Sequence, residues 1–225
     1  MLEVDGLDAY YGRAQILHGV SLRVGQGEVV ALLGRNGAGK STTLKAIMGL
    51  VRPAWGRVLV AGADLTGQEP WRIARAGLGY VPEERRIFAE LTVHENLEAG
   101  RRPARPGRAP WTAARLFALF PNLERMQHRL GGRMSGGEQQ MLAIARTLMG
   151  NPTLILLDEP GEGLAPVIVQ QMSGALAALK REGAMLIAEQ DPTLAGQLAD
   201  RAVLLETGRV AWEGGFADRP GAVLG

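Results

Sequence analysis

Gly34-Arg35-Asn36-Gly37-Ala38-Gly39-Lys40-Ser41 lies between an apolar run, Val29-Val30-Ala31-Leu32-Leu33, and Thr42-Thr43-Leu44-Lys45-Ala46-Ile47-Met48. The order reads as strand, glycine loop and helix. Glycines at 34, 37 and 39 let the backbone curl so that successive N–H groups point into one concavity, and the following helix N-terminus adds its dipole. That concavity fits polyphosphate. Every position of G-x-x-x-x-G-K-[ST] is met: Lys40 reaches the β- and γ-phosphates and the Ser41 hydroxyl ligates the accompanying Mg²⁺. Arg35, Asn36, Ala38 and Thr42 complete the loop that wraps the phosphates. A plain glycine turn between buried elements requires neither the Lys-Ser pair nor the flanking strand and helix patterns.

Composition sets outer bounds. A chain of 225 residues with 46% hydrophobic content can bury a sizeable core. Its apolar runs stop at about five or six residues, far short of the ~20 that span a bilayer. The start, Met1-Leu2-Glu3-Val4-Asp5, has early acids and no basic and apolar leader, so the expected location is the cytoplasm. Cysteine is absent, which excludes disulfides and thiolate metal sites. Lys and Arg total 25 against 23 Asp and Glu, a net charge of +2, too weak to argue for nucleic acid as a partner.

Residues 2 to 24 alternate apolar and polar positions, with Tyr10-Tyr11-Gly12 as the turn of an antiparallel pair. Arg57 to Val60 is a short strand, Trp71 to Ala76 is helical, and Leu78 to Val81 is a buried strand ended by Pro82. From Glu83 to about Gly150 the pattern changes to helices and loops. Val93 to Ala99 and Trp111 to Met126 carry helical spacing, and the Arg- and Pro-rich stretch 101–110 reads as a solvated connector. Strands then alternate with helices again: Leu154 to Leu157, a helix opening at Pro166, Ala184 to Ala188, a helix over Pro192 to Ala199, and Ala202 to Leu205. A parallel sheet covered by helices is therefore expected. Residues 1–83 and 151–225 would form the nucleotide-binding core, and 84–150 a helical insertion.

Two further stretches carry chemistry. Leu154-Ile155-Leu156-Leu157-Asp158-Glu159 puts two carboxylates at the C-terminal end of a buried strand, where ligands of α/β sheets gather. Asp158 holds Mg²⁺ through water and Glu159 polarises the attacking water as general base. Ser135-Gly136-Gly137-Glu138 fits a helix capping box. Two glycines in a helix's first turn cost about 1 kcal/mol each against alanine, and a cap does not need them. Bare N–H groups there suit close approach to a phosphate.

At this point the chain resembles a family. Met134-Ser135-Gly136-Gly137-Glu138-Gln139-Gln140, just ahead of the Asp158-Glu159 strand, is similar to the signature sequence of ATP-binding cassette (ABC) ATPases, and the resemblance covers nearly the whole chain. It implies a P-loop NTPase (RecA-like) core with an N-terminal antiparallel β-layer and an inserted α-helical subdomain. It also implies ATP and Mg²⁺ as cofactors, and a head-to-tail dimer in which Ser135 to Glu138 of one subunit clamp the ATP held by the glycine loop of the other. Tyr11 matches the aromatic that stacks on adenine. Gly161-Glu162-Gly163-Leu164-Ala165 falls at the D-loop, with Ala165 where many members carry aspartate.

Two departures narrow the resemblance. Glu83, in Val81-Pro82-Glu83-Glu84-Arg85-Arg86-Ile87-Phe88, stands where most members have glutamine. A carboxylate about 5 Å from a triphosphate, at an effective dielectric of ~20, is repelled by roughly 3 kcal/mol per unit charge, so Glu83 is expected to ligate Mg²⁺. Gln190, in Ala188-Glu189-Gln190-Asp191, takes the place of the switch histidine; it can hydrogen-bond a γ-phosphate or the attacking water but cannot become charged. Together with Gly163-Leu164-Ala165-Pro166 these features are similar to the ATPase subunits of branched-chain amino-acid importers. That resemblance implies a cytoplasmic ATPase, peripheral on the inner face of the membrane, docked through the Arg85 to Arg108 side on membrane-spanning permease subunits. It also implies pairing with a second ATPase subunit and an external solute-binding protein that delivers substrate. An importer of another solute, such as urea or amides, is the neighbouring alternative. A soluble cassette protein acting on nucleic acid or ribosomes usually carries a long coiled coil or two cassettes in one chain, and neither pattern is present here.

Overall fold

Period-two alternation builds the first layer. The structure, a computed structural model, describes residues 1–220, so the last residues of the expected core segment, 221–225, lie outside the described residues. Strand β1 (Leu2–Tyr11) pairs antiparallel with β2 (Ala14–Val24) and with β4 (Trp55–Val60), which carries the short β5 (Ala63–Asp64). Leu2, Val4, Leu7 and Ala9 face inward. Val4 and Leu7 break strict alternation, and a register shift at Gly6, whose φ is +61°, returns the strand to its buried face. The expected turn moves by one step. Tyr10 and Tyr11 pair with Gln15 and Ala14, as aromatic residues favour a ladder, and Gly12 at φ +60° takes the turn.

The second layer is a six-stranded sheet in the order β10-β9-β3-β8-β7-β6. Its parallel strands are β3 (Val29–Leu33), β6 (Leu78–Val81), β7 (Leu154–Asp158), β8 (Ala184–Glu189) and β9 (Arg201–Glu206). Apolar runs without alternation are what a sheet buried on both faces needs. Val30, Leu32, Leu154, Leu156 and Leu186 pack with helix α1 (Lys40–Ile47) and the antiparallel layer. Ile155, Leu157, Met185 and Ile187 pack on the opposite side with α6 (Gly136–Leu148) and α7 (Pro166–Leu179). Each such side chain contributes about 1.5–3 kcal/mol of burial, which fixes the strand ends that carry the site. The antiparallel edge strand β10 (Arg209–Gly215) has no counterpart in the sequence reading. Its signal is Thr207-Gly208, a tight turn with φ of +47° and +73°.

Helix α2 (Pro70–Ala76) leads into β6, and α3 (Val93–Gly100), α4 (Ala113–Leu119), α5 (Pro121–Arg125) and α6 follow before β7. The helix expected over Trp111 to Met126 is split, because Pro121 excludes helical backbone at Phe120, which sits at φ −125° and ψ 74°. The helix expected over Pro192 to Ala199 shortens to α8 (Pro192–Ala195). The 101–110 connector is not free. Arg105 donates to the carbonyls of Ala74 and Arg75 at the end of α2 and to that of Asn151, while the Asn151 amide donates to Arg102 O at 2.8 Å. The last carbonyls of a helix lack internal donors, and a guanidinium supplies them. The result is an α/β core with an N-terminal antiparallel sheet and an inserted helical subdomain.

Candidate active site

The glycine loop leaves β3 at the C-terminal edge of the parallel sheet, with β8 and β9 on either side. Its glycines serve different ends. A Cβ on Gly34 would stand 2.6 Å from the Leu205 carbonyl, so this position is one of close packing. Gly37 and Gly39, at φ +80° and +107°, give the loop its curl. Arg35, Asn36 and Gly37 are exposed, whereas Ala38 is buried beneath them.

Lys40 starts α1 and is only 3% exposed. Its ammonium donates to the carbonyls of Gly34 (2.8 Å) and Arg35 (3.2 Å) and pairs with Glu159 Oε1 at 3.0 Å. Glu159 follows β7 in a left-handed backbone conformation, φ +44°, held by its N–H to Ala188 O at 2.9 Å on β8. This unusual backbone turns the Glu159 carboxylate to the mouth of the loop, a placement that the apolar run before it does not reveal.

Asp158 is 1% exposed. Its Oδ1 accepts the Ser41 hydroxyl at 2.9 Å and its Oδ2 accepts the Tyr80 hydroxyl at 3.0 Å. Burial lifts its carboxyl above the ordinary range, and the two hydroxyls oppose that shift. Ser41 and Asp158 together offer hard oxygen donors at the loop-helix junction, a set that fits Mg²⁺.

Tyr11, Lys40, Ser41, Thr42 and Glu159 line one cavity, which Glu83 enters from the end of β6. Glu83 does not join Asp158 in a compact cluster: among the described residues, no three His, Cys, Asp or Glu side chains gather at metal-ligating distance. Gln190 lies in the neighbouring cavity, and Glu159 lines both. Ser135 to Glu138 line neither. The capping box there is complete, with Ser135 N–H donating to Glu138 Oε2 at 2.7 Å. Packing explains Gly137, where a Cβ would fall 2.6 Å from the Ile168 side chain of α7, while the Arg85 guanidinium lies against Gly136.

Sequence reasoning passed over three residues near the site. Tyr80 holds Asp158 as described. Glu162 lines the same cavity as Glu159, whose carboxylate raises the Glu162 carboxyl, with burial adding to the shift. Glu189, the last residue of β8, is 3% exposed and accepts the Gly161 N–H at 3.0 Å. Burial pushes the Glu189 carboxyl up to about 8, opposed by the Gly161 N–H and by Lys40 and reinforced by Glu159 and Asp191. Its signal was an acid closing a wholly apolar strand.

A carboxyl raised in the fold keeps its proton between the ordinary value of 4.5 and about 8, where the unfolded chain has lost it. The folded state then binds more protons, and stability falls as pH rises through that window. Glu189→Gln is expected to flatten this fall. Urea midpoints at about pH 5 and about pH 8 check it, and parallel losses in the variant and the parent would refute it.

Residues 17–162 match the family profile described as ABC transporter. The high-affinity branched-chain amino acid transport ATP-binding protein BraG of Pseudomonas aeruginosa is 45% identical over 211 residues, which cover 93% of this chain and 91% of that protein. The lipopolysaccharide export system ATP-binding protein LptB of Haemophilus influenzae is 35% identical over 214 residues, covering 93% and 88%. A bacterial ABC transporter cassette of known dimeric structure shares the fold with a TM-score of 0.83 at 27% identity, covering 96% of this chain and 98% of that one. Glycine loop, strand-end acids and capped signature helix therefore stand in a chain that belongs to the ABC transporter ATP-binding family, an ATPase using ATP and Mg²⁺.

Proposed function

We propose that this chain hydrolyses ATP to energise uptake of branched-chain amino acids, with Glu159 as the general base. The observation that carries the chemical reading is the 3.0 Å contact between Lys40 and Glu159. An incoming triphosphate draws the Lys40 ammonium onto its β- and γ-oxygens, and the Glu159 carboxylate is released to accept a proton from water. The water oxygen bonds to the γ-phosphorus as the bond to the β,γ-bridging oxygen breaks, and ADP leaves with that electron pair. Gln190 orients the water or γ-phosphate from the neighbouring cavity by hydrogen bonding alone. Ser41 and Asp158 would hold Mg²⁺, with Glu83 entering the same cavity, and the ion would neutralise the phosphate charge.

Arg35, Asn36, Gly37, Ala38, Gly39 and Thr42 wrap the phosphates, and Tyr11, half-exposed at the cavity lip, stacks on adenine. Ser135, Gly136, Gly137 and Glu138 complete the site of a second ATPase subunit. Support comes from their exclusion from this chain's own cavity and from the dimeric structure of the related cassette. Membrane-spanning permease subunits and an external solute-binding protein complete the transporter. No described helix is long and apolar enough to cross a membrane, in keeping with a subunit seated on the cytoplasmic face.

The solute reading rests on the likeness to the Pseudomonas protein. A strain lacking this chain is expected to lose uptake of radiolabelled leucine, isoleucine and valine, regained with the parent chain and not with Glu159→Gln. Unchanged uptake in the deletion strain overturns the solute assignment. Glu83→Gln is expected to raise the Mg²⁺ concentration for half-maximal ATPase by about 10-fold. Superimposable Mg²⁺ titrations would remove Glu83 from the metal's surroundings.

A further inference from the structure

Asp158 is held from two sides, and only one of them belongs to the nucleotide cavity. Ser41, the donor to Oδ1, lines the cavity around Lys40. Tyr80, the donor to Oδ2, lines a separate groove between α2, β6 and the helical insertion, with Trp71, Arg75, Phe88, Arg102 and Arg146. The two cavities share no lining residue.

The register explains how a residue on the groove reaches this carboxylate. Tyr80 of β6 lies opposite Leu156 of β7 in the parallel ladder. Leu156 and Asp158 point to the same face, being two residues apart. One two-residue step is about 6.6 Å along a strand, close to the length of a tyrosine side chain from Cα to hydroxyl. The ring packs on the core below, and the hydroxyl arrives at Asp158 at 3.0 Å. Phenylalanine at this place would fill the same space and donate nothing.

A carboxylate 1% exposed has little water to fix its plane. With one hydroxyl on each oxygen, rotation about its last bond is arrested, and Oδ1 stays turned toward Ser41 and the nucleotide. We infer that Tyr80 is a positioning residue of the Mg²⁺–nucleotide site, fixing the Asp158 carboxylate from the groove side. The inference rests on the reading of Ser41 and Asp158 as the groups that hold the metal. Outer partners of this kind set ligand orientation, and their loss lowers metal affinity by about 10–100-fold.

The test is Mn²⁺ titration of the full chain with a non-hydrolysable ATP analogue, read by electron paramagnetic resonance. Tyr80→Phe is expected to weaken Mn²⁺ binding by about 10-fold while analogue binding in EDTA stays at the parent value. Replacing Tyr80 by 4-aminophenylalanine, which keeps a ring donor, restores most of the Mn²⁺ affinity. Parent-like Mn²⁺ affinity in Tyr80→Phe overturns the inference, as does an equal loss of analogue binding with and without metal, which marks a general distortion. A parent chain that binds the analogue in neither condition would instead contradict the reading of the cavity itself.

Discussion

Glu159→Gln is expected to bind ATP as the parent does and to hydrolyse it about 10²–10⁴-fold more slowly, the contribution of a positioned general base. The substitution is nearly isosteric. The backbone N–H of residue 159 keeps its bond to Ala188, and the amide oxygen can still accept from Lys40. Lys40 also retains the Gly34 and Arg35 carbonyls, so no buried cation is stranded. What is lost is the basic oxygen, since an amide does not take up a proton from water at neutral pH. Equilibrium binding of a fluorescent ATP analogue and single-turnover hydrolysis separate the two effects. A parent-like hydrolysis rate would assign the base elsewhere.

Lys40→Ala is expected to behave differently, because this pair is asymmetric. Removing the ammonium leaves the Glu159 carboxylate, 8% exposed, without its cation. Breaking a buried pair by deleting one partner typically costs about 3–5 kcal/mol, and the open cavity beside Glu159 places this case near the lower end. Nucleotide binding is expected to fall by about 10²-fold, as charge-assisted hydrogen bonds to the phosphates are lost. Urea denaturation of the nucleotide-free protein measures the first effect and analogue titration the second. A variant as stable as the parent would show that water already compensates Glu159. Added ATP should recover little stability, since ligand linkage scales with affinity.

Much of the site was legible because it is built from local patterns. The spacing of Gly34, Gly37 and Gly39 before Lys40-Ser41 encodes a loop that curls, and the flanking apolar run and helix encode what it joins. Asp158 and Glu159 stood out as charges at the end of Leu154 to Leu157, and Ser135 with Glu138 as a cap. The edge strand β10 was not legible, because Arg209 to Gly215 is half-exposed and has no apolar run. The Arg-rich connector is exposed and irregular, as its composition implies, but its tether was not legible for a related reason. Composition cannot show that Arg105 reaches the carbonyl end of α2.

The sequence by itself determined the fold class, the phosphate loop and the pair of strand-end acids, since each depends on residues within one element and its turn. Only the tertiary structure decided which acid meets Lys40, what holds the Asp158 carboxylate and why Gly137 is glycine. Those contacts join α1 to the end of β7, β6 to β7 and α6 to α7, elements that are not neighbours in the chain. The order of strands in the sheet brings them together, and hydrophobic periodicity, which says which face is buried, does not say which strand lies alongside.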